Sequence, residues 1–233
     1  MKSVGVVIVC RYNSSRLPGK ILKVIEGKTI LERIYKRINQ VFPTNKIIVA
    51  TSIEETDDVI QEFCEENNIQ LYRGSLENAA ERFLKAGDKL GTDYIIRVNG
   101  DNLFIDLDLL KEVLGISESG DYDFITNVKE RTYPFGMSIE SLHRENYQNI
   151  YFQHINTTNY KEHITLVLYE SPHLIKSYYI YNTKELRAKG INLAIDTKQD
   201  FENAQKLIKE IELSGIDYSL SNLIDLYFNI RDE

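Results

Sequence analysis

Residues 11–20, which read RYNSSRLPGK, hold three cations and two small hydroxyl side chains: Arg11, Arg16, Lys20, Ser14 and Ser15. Fixed cations beside small donors and free backbone N–H groups form a cradle for a polyanion, because each can make a charge-assisted hydrogen bond. The polyanion that this set favours is a nucleoside triphosphate. A solvated basic loop is the alternative interpretation. The position of the segment, between a first strand and a first helix of an acidic chain, favours the cradle.

Two aspartates each follow a short apolar run. Asp101 comes after the run 95–98 and the pair Asn99-Gly100, and Asp196 directly follows the run 193–195. In a parallel sheet both carboxylates would project into the crevice at the carboxyl ends of the strands, where the basic loop also lies. One or two carboxylates, together with substrate phosphates, are the usual ligands of Mg²⁺. The alternatives are a turn residue for Asp101 and a helix N-cap for Asp196.

The elements that must position these residues alternate regularly in the first half of the chain. Apolar, β-branched runs predict strands at Val4–Cys10, Ile47–Ala50, Ile69–Tyr72 and Asp93–Val98. Apolar residues at helical spacing predict helices at Thr29–Asn39, Asp57–Asn67 and Asn78–Leu90. This alternation predicts an α/β fold with a mostly parallel sheet and helices on both faces.

The second half of the chain is less regular. Strands are predicted at Asp123–Asn127, Met137–Leu142 and, on a sheet edge, Lys176–Tyr181; helices are predicted at Glu162–Glu170, Gln199–Leu213 and Tyr218–Phe228. No Pro- or Ser-rich linker divides the chain. We therefore predict one domain over residues 1–233, with an arm inserted at about residues 145–190.

Composition narrows the function class. The chain has 233 residues, 42% of them hydrophobic, and a net charge of −7, which argues against nucleic acid or an anionic membrane as a partner. The two cysteines, Cys10 and Cys64, fit no metal-ligand spacing. No apolar segment is long enough to span a bilayer and none has a signal-peptide layout. We expect a cytoplasmic protein in a reducing environment.

Beyond these features, the motif RYNSSRLPGKIL resembles the first-loop signature of the cytidylyltransferases that activate sugar acids. The closest pattern is the spore-coat polysaccharide type, which is related to the 3-deoxy-manno-octulosonate and acylneuraminate cytidylyltransferases. Further matching stretches follow in order: ATS at 50–52, YRGS at 72–75, ENAAERF at 77–83, RVNGDNLFID at 97–106, RTYPFG at 131–136, KEHIT at 161–165 and AIDTKQDF at 194–201. The resemblance therefore covers almost the whole chain.

This resemblance implies a GT-A-like, or Rossmann-like, fold and a Mg²⁺-dependent transfer of CMP from CTP, with release of pyrophosphate. It implies that Arg16, Lys20 and Asp101 are catalytic and that Asp101 and Asp196 bind the metal. The other implied nucleotide contacts are Arg11, Asn13, Ser14, Ser15, Thr51, Arg73, Gly74, Ser75, Arg82, Asn99 and Gly100. The implied acceptor contacts are Arg97, Tyr133, Gly136, Glu140, Glu162 and His163. A structural helix histidine is the alternative for His163.

The chain departs from the family pattern mainly on the acceptor side. Ser138 stands where relatives commonly carry an acid, and 102–104 reads NLF where they carry x-Pro-Leu. Lys198 replaces a common proline, and Ala194 replaces an acid that some relatives have. The acceptor therefore stays open among a carboxylated sugar, a sugar phosphate and a phosphonate, each of which offers an oxygen nucleophile. The resemblance also implies a homodimer that packs through the inserted arm.

Two other functions stay open at this point. One is another enzyme of similar fold, either a sugar-phosphate nucleotidyltransferase that uses a different triphosphate or a nucleotide-sugar glycosyltransferase. A glycosyltransferase would use an Asp-x-Asp motif, and Asp106-Leu107-Asp108 has that spacing, although it is also typical of a helix start. The other is a nucleotide-binding module without catalysis.

Overall fold

A seven-stranded mixed sheet forms the centre of the computed structural model, which describes residues 1–154 and 156–232. Its strands are β1 (Val4–Val9), β4 (Ile47–Ser52), β5 (Gln70–Gly74), β6 (Tyr94–Asn99), β7 (Phe124–Thr126), β8 (Glu140–His143) and β9 (Ser177–Tyr179), and a separate hairpin pairs β2 (Val24–Ile25) with β3 (Lys28–Thr29). The order in the sheet is β5-β4-β1-β6-β8-β7-β9, and only β8 pairs antiparallel to its neighbours. The predicted mostly parallel sheet is confirmed.

Helices cover both faces of this sheet, as predicted. They are α1 (Ile30–Ile38), α2 (Asp58–Glu66), α3 (Ala79–Leu90), α4 (Leu107–Ser119), α5 (Arg144–Gln153), α6 (Thr158–Glu162), α7 (Leu166–Glu170), α8 (Lys198–Ser214) and α9 (Leu220–Asp232). Alternate residues of β1 divide between two cores: Val6 and Ile8 pack with α1, α4, α8 and α9, whereas Val7 packs with α3, α5 and α7. A strand buried on both faces must be apolar throughout, which explains the unbroken run in the sequence.

Two predicted elements differ from the structure. The strand predicted at Met137–Leu142 begins only at Glu140. The Asn127 side-chain amide accepts a hydrogen bond from Ile139 N at 2.8 Å and donates one to Met137 O at 2.9 Å. These side-chain bonds replace the backbone hydrogen bonds that a neighbouring strand would make with this segment.

The helix predicted at Glu162–Glu170 is two short helices, α6 and α7, because the backbone leaves helical geometry at His163. The Tyr147 hydroxyl donates to the carbonyl of Ile164 at this break. The segment 145–190 also contributes buried side chains to the core, among them Tyr147 and Val167. Among the helices of the described ranges, none combines the length and apolar character that a membrane span requires.

Candidate active site

The carboxyl ends of β1 and β6 lie side by side and bring the basic loop next to Asp101. The amide of Gly100 donates to the carbonyl of Val9 at 2.9 Å. A Cβ on Gly100 would come within 2.7 Å of the Cys10 Cβ, so only glycine lets the two chain segments approach this closely. The sequence Asn99-Gly100-Asp101 therefore places the aspartate at the mouth of the crevice.

A cleft of about 320 Å³ opens at this point, and we call it the central cleft. Twelve of the predicted site residues line it: Arg11, Ser14, Ser15, Arg16, Lys20, Arg82, Asn99, Gly100, Asp101, Glu162, His163 and Asp196. The structure thus brings together the basic loop after β1, the turn after β6, the α6–α7 break and the segment before α8. These four segments are far apart in the chain, which is the arrangement expected at the carboxyl end of an α/β sheet.

Other predicted nucleotide contacts lie outside this cleft. Thr51 is fully buried and donates to Asp57 at 2.8 Å, whereas Arg73 donates to the carbonyl of Ser52 at 2.9 Å and pairs with Asp58 at 2.7 Å. Gly74 ends β5, Ser75 accepts a hydrogen bond from the amide of Asn78, and Asn13 is exposed. A direct contact of these five residues with nucleotide stays a prediction.

Asp57 is a residue of this region that the sequence did not single out. It is buried, and its carboxylate accepts from the amide of Tyr12 at 2.7 Å and from the amide of Ser52 at 2.9 Å. These bonds tie the start of the basic loop to the end of β4. A helix-start aspartate is too common a feature to reveal such a role from sequence.

One carboxylate holds two cations of the basic loop. Asp196 lies 2.9 Å from the Lys20 ammonium and 3.0 Å from the Arg16 guanidinium. Lys20 also donates to the carbonyl of Ile195 at 2.8 Å, and its side chain is only 14% exposed. Because a triphosphate carries more negative charge than one aspartate, it can compete for both cations at this position.

Asp101 presents an unsatisfied carboxylate oxygen to the cleft. Its Oδ1 is buried and has no hydrogen-bond partner among the described residues. Burial raises the pKa of this carboxyl; Lys20 opposes the shift, and the nearby charge of Asp196 adds to it. An unpaired buried carboxylate oxygen is costly, so a cation bound beside Asp101 would stabilise it.

The donor set fits Mg²⁺ only if substrate supplies further ligands. Among the residues that the structure describes, no group of three or more His, Cys, Asp or Glu side chains is placed to hold a metal ion. Two carboxylates, Asp101 and Asp196, remain, and both line the central cleft. Hard oxygen donors of this number are typical of Mg²⁺ sites that phosphate oxygens and water complete.

The structure decides between the alternatives for three aspartates. Thr197, not Asp196, caps α8: its hydroxyl accepts from the amide of Asp200 in a capping box. The N-cap alternative for Asp196 is therefore wrong. Asp106 caps α4 and accepts from the amide of Leu109 at 2.7 Å, while the exposed Asp108 pairs with Lys111. The Asp-x-Asp spacing is thus a helix start, which removes the feature that favoured a glycosyltransferase.

Cys10 also lines the central cleft, but it is not a nucleophile in this environment. Burial strongly raises the pKa of its thiol, and only the thiolate is reactive. The raised pKa thus argues against Cys10 as a nucleophile.

A second cavity, of about 430 Å³, adjoins the central cleft at Glu162 and His163, and we call it the Arg97 cavity. Arg97 donates to Glu140 at 2.5 Å and to the Thr165 hydroxyl at 3.0 Å. Glu140 is buried and also accepts from the Tyr169 hydroxyl at 2.7 Å. The charge of Arg97 is thus largely compensated within the protein.

The remaining predicted acceptor residues occupy different surroundings. The His163 ring is exposed and makes no hydrogen bond with the described residues, so the structural histidine interpretation has no support there. Tyr133 packs against the core and lines neither the central cleft nor the Arg97 cavity, and burial raises its pKa to about 12.

Gly136 lies in a third cavity, of about 420 Å³, which we call the Arg131 cavity. It is lined by Asn99, Asp101, Asn102, Arg131, Phe135, Gly136, Ser138, Gly190, Asn192, Ala194 and Asp196. Gly136 has φ of 86°, and a Cβ there would come within 2.4 Å of the Ala194 amide nitrogen, so glycine is required for the wall of this cavity. Arg131 lies in the RTYPFG stretch, yet sequence reasoning did not select it.

The family model for cytidylyltransferases matches residues 6–223 of the chain. Spore coat polysaccharide biosynthesis protein SpsF of Bacillus subtilis strain 168 is 30% identical over 232 residues, which cover 97% of this chain and 94% of that protein. These matches span the strands, the basic loop and both cleft aspartates.

Solved structures agree on the fold. A cytidylyltransferase from Leptospira borgpetersenii serovar Hardjo-bovis strain JB197 superposes with a TM-score of 0.87 at 27% identity, covering 100% of this chain and 96% of that one. CMP:2-keto-3-deoxy-manno-octonic acid synthetase, solved in complex with CTP, has a TM-score of 0.65 at 20% identity, with 89% of this chain and 99% of that one covered. At that identity the second likeness bears on the fold alone.

Proposed function

The chain belongs to the cytidylyltransferase family, and from that premise we propose that it transfers CMP from CTP to a small acidic sugar or a related acceptor, with Mg²⁺, and releases pyrophosphate. One observation carries this proposal. In the central cleft, Lys20 and Arg16 form ion pairs with Asp196, and the cleft also holds Asp101, whose carboxylate has an unpaired oxygen. Cations for a triphosphate and carboxylates for its metal ion therefore meet at one point.

The proposed step is an in-line displacement at the α-phosphorus. An acceptor hydroxyl oxygen forms the new P–O bond, the bond from the α-phosphorus to the bridging oxygen breaks, and pyrophosphate leaves with the electron pair. The proton of the acceptor hydroxyl passes to solvent water. Lys20 and Arg16 exchange Asp196 for phosphate oxygens and stabilise the charge that grows on the leaving group. Asp101 and Asp196 would hold Mg²⁺, which when bound supplies Lewis-acid polarisation of the phosphate.

The name of one relative favours a carbohydrate product. The relative that is 30% identical over 97% of this chain is named as a spore coat polysaccharide biosynthesis protein. We therefore place the product among activated sugars for polysaccharide assembly. The homodimer implied by the resemblance stays a prediction.

A pyrophosphate-release assay with CTP, Mg²⁺ and a panel of sugar acids, sugar phosphates and phosphonates tests the proposal. Steady release that depends on both CTP and one acceptor supports transfer. Saturable CTP binding without release from any member of the panel would instead indicate a nucleotide-binding module.

We expect CTP to bind best among the four ribonucleoside triphosphates, because the first-loop and YRGS motifs resemble those of cytidylyltransferases. Thermal-shift titration with ATP, GTP, UTP and CTP measures this, since a ligand that binds only the folded state raises its melting temperature with concentration. Equal or greater stabilisation by ATP or GTP would contradict the base preference while leaving the triphosphate site intact.

Lys20→Ala should lower turnover at least about tenfold, equivalent to about 1.4 kcal/mol, and should weaken CTP binding. The reason is the loss of a mostly buried ammonium that lies at the proposed phosphate position. Arg16→Lys should also lower turnover, since an ammonium cannot reproduce a planar two-pronged donor. Steady-state kinetics and CTP titration measure both variants.

Lys23→Ala is the matched control for Lys20→Ala. Lys23 follows in the same segment, but its ammonium lies 5.6 Å from the ring centroid of Phe201 and it does not line the central cleft. Its replacement should leave the kinetics unchanged. If Lys20→Ala behaved like Lys23→Ala, the basic loop would have no part in the reaction.

A further inference from the structure

The Arg131 cavity meets the central cleft at the two candidate metal ligands. Asn99, Asp101 and Asp196 line both spaces. An acceptor that occupies the Arg131 cavity would thus lie against the same carboxylates that the α-phosphate approaches from the central cleft. The Arg97 cavity contains neither aspartate.

Arg131 is held in a defined position by two neutral groups. Its Nη1 donates to the Ser138 hydroxyl at 3.1 Å, and its guanidinium carbon lies 4.9 Å from the ring centroid of Phe135. The backbone of Ser138 is in turn bound to the turn after β6, because the Asn102 amide donates to its carbonyl at 2.7 Å. The guanidinium is therefore linked through Ser138 to Asn102, the residue that follows Asp101.

The charge of Arg131 is uncompensated in the part of the chain that the structure describes. It is exposed and makes no ion pair there, whereas Arg97 pairs with Glu140 and Arg16 pairs with Asp196. Apart from Asp101 and Asp196, the residues that share its cavity carry no charge. If a metal ion were bound by those two carboxylates, the Arg131 guanidinium would have no anionic partner among the residues that line the cavity.

We propose that Arg131 binds an anionic group of the acceptor, a carboxylate in the first instance, and so selects sugar acids over neutral sugars. This inference rests on the proposed function and specifies its acceptor. Two N–H-bearing nitrogens of the guanidinium, Nε and Nη2, have no partner among the described residues, so they are available for a two-pronged bond with a carboxylate. The acceptor hydroxyl then faces the α-phosphorus at Asp101 and Asp196.

Kinetics with variants on both sides of the Arg131–Ser138 bond test the inference. The probes are CTP with 3-deoxy-manno-octulosonate, N-acetylneuraminate and the methyl ester of each acid. Arg131→Gln should raise the KM for the acid at least about tenfold and leave the KM for CTP unchanged, because a charge-assisted bond to the acceptor is lost. Ser138→Ala should raise the same KM by a smaller factor, because it removes the hydroxyl that accepts from Arg131 Nη1 and helps to orient the guanidinium.

Lys129→Gln is the control, because Lys129 lies in the same loop but places its ammonium 4.0 Å from the ring centroid of Tyr179 and lines neither cavity nor cleft. Its kinetics should match those of the unmodified protein. The methyl esters should be poor acceptors for the unmodified protein and should not be affected further by Arg131→Gln.

Three results would overturn the inference: an unchanged KM for the acid in Arg131→Gln, turnover of the methyl esters as fast as the acids, or CTP binding by the unmodified protein with no turnover of either acid. The last result would leave CTP as the donor and remove only the acceptor class. Absence of CTP binding to the unmodified protein would overturn the proposed function itself.

Discussion

Asp101→Asn should reduce turnover by at least about 100-fold while the protein stays folded and binds CTP in the absence of metal. The amide keeps the size of the side chain but removes the charge that would hold Mg²⁺, and a bound metal supplies several kcal/mol of transition-state stabilisation. Each 1.36 kcal/mol of that stabilisation corresponds to about a tenfold change in rate. Pyrophosphate release and CTP titration with and without Mg²⁺ measure the two effects.

The same variant should melt at an equal or higher temperature than the unmodified protein when metal is absent. Burial raises the pKa of Asp101, with Lys20 opposing and Asp196 adding to the shift, so the folded state binds a proton more tightly than the unfolded state. Stability contributed by this group is present at low pH and is lost as the pH rises through the raised pKa. The amide of the Asp101→Asn variant does not ionise, so the variant should not lose this stability as the pH rises.

A melting curve at neutral pH therefore provides the control for misfolding. A lower melting temperature with lost activity would indicate a structural role for Asp101. Full activity of the unmodified protein in excess EDTA would contradict the metal-dependent reaction altogether.

The parallel half of the fold follows from local sequence. Residues of β1 alternate between two cores, so every position must be apolar, and that run is visible without a structure. The loop at its carboxyl end must then lie at the ligand-binding edge of the sheet. For this reason Arg16, Lys20 and Asp101 could be placed together from their positions alone.

The antiparallel half depends on contacts that sequence periodicity does not carry. Met137 and Ile139 are apolar and buried like strand residues, but the Asn127 side chain satisfies their backbone, so no strand forms there. Likewise the Tyr147 hydroxyl takes the Ile164 carbonyl where the predicted helix breaks. Such side-chain partners are distant in sequence and leave no local pattern.

The ion pairs of the candidate site could not be predicted from the sequence either. Lys20 and Asp196 are 176 positions apart in the sequence, and nothing in either motif indicates that the two side chains pair before substrate binds. Arg131 was overlooked because its significance comes from the absence of an acid nearby, and a missing partner is recognisable only in three dimensions. Local motifs therefore predicted which charged side chains form the site, whereas only the fold shows which of them form ion pairs.

This pairing makes the effect of Asp196→Asn distinctive. Turnover should fall by at least about 100-fold, since a metal ligand is lost. Triphosphate binding without metal should instead become tighter, because Lys20 and Arg16 no longer pair with a carboxylate at 2.9 and 3.0 Å that phosphate oxygens must displace. Asp101→Asn leaves both ion pairs in place, so it should not show this gain. Kinetics with Mg²⁺ measure the loss of turnover, and CTP titration in EDTA measures the gain in affinity.

Thr197→Ala separates loss of the carboxylate from loss of the helix start. Thr197 caps α8 through the capping box with Asp200, so its replacement should cost about 1 kcal/mol of stability and lower the melting temperature. Thr197→Ala keeps both ion pairs of Asp196 and should retain turnover, whereas Asp196→Asn leaves the cap intact but removes the carboxylate partner of the mostly buried Lys20 and should also cost some stability. If Asp196→Asn retained near-normal turnover, Asp196 would serve only to hold Lys20 and Arg16 before substrate binds. Weaker triphosphate binding in EDTA would show instead that the carboxylate orders these cations for phosphate rather than competing with it.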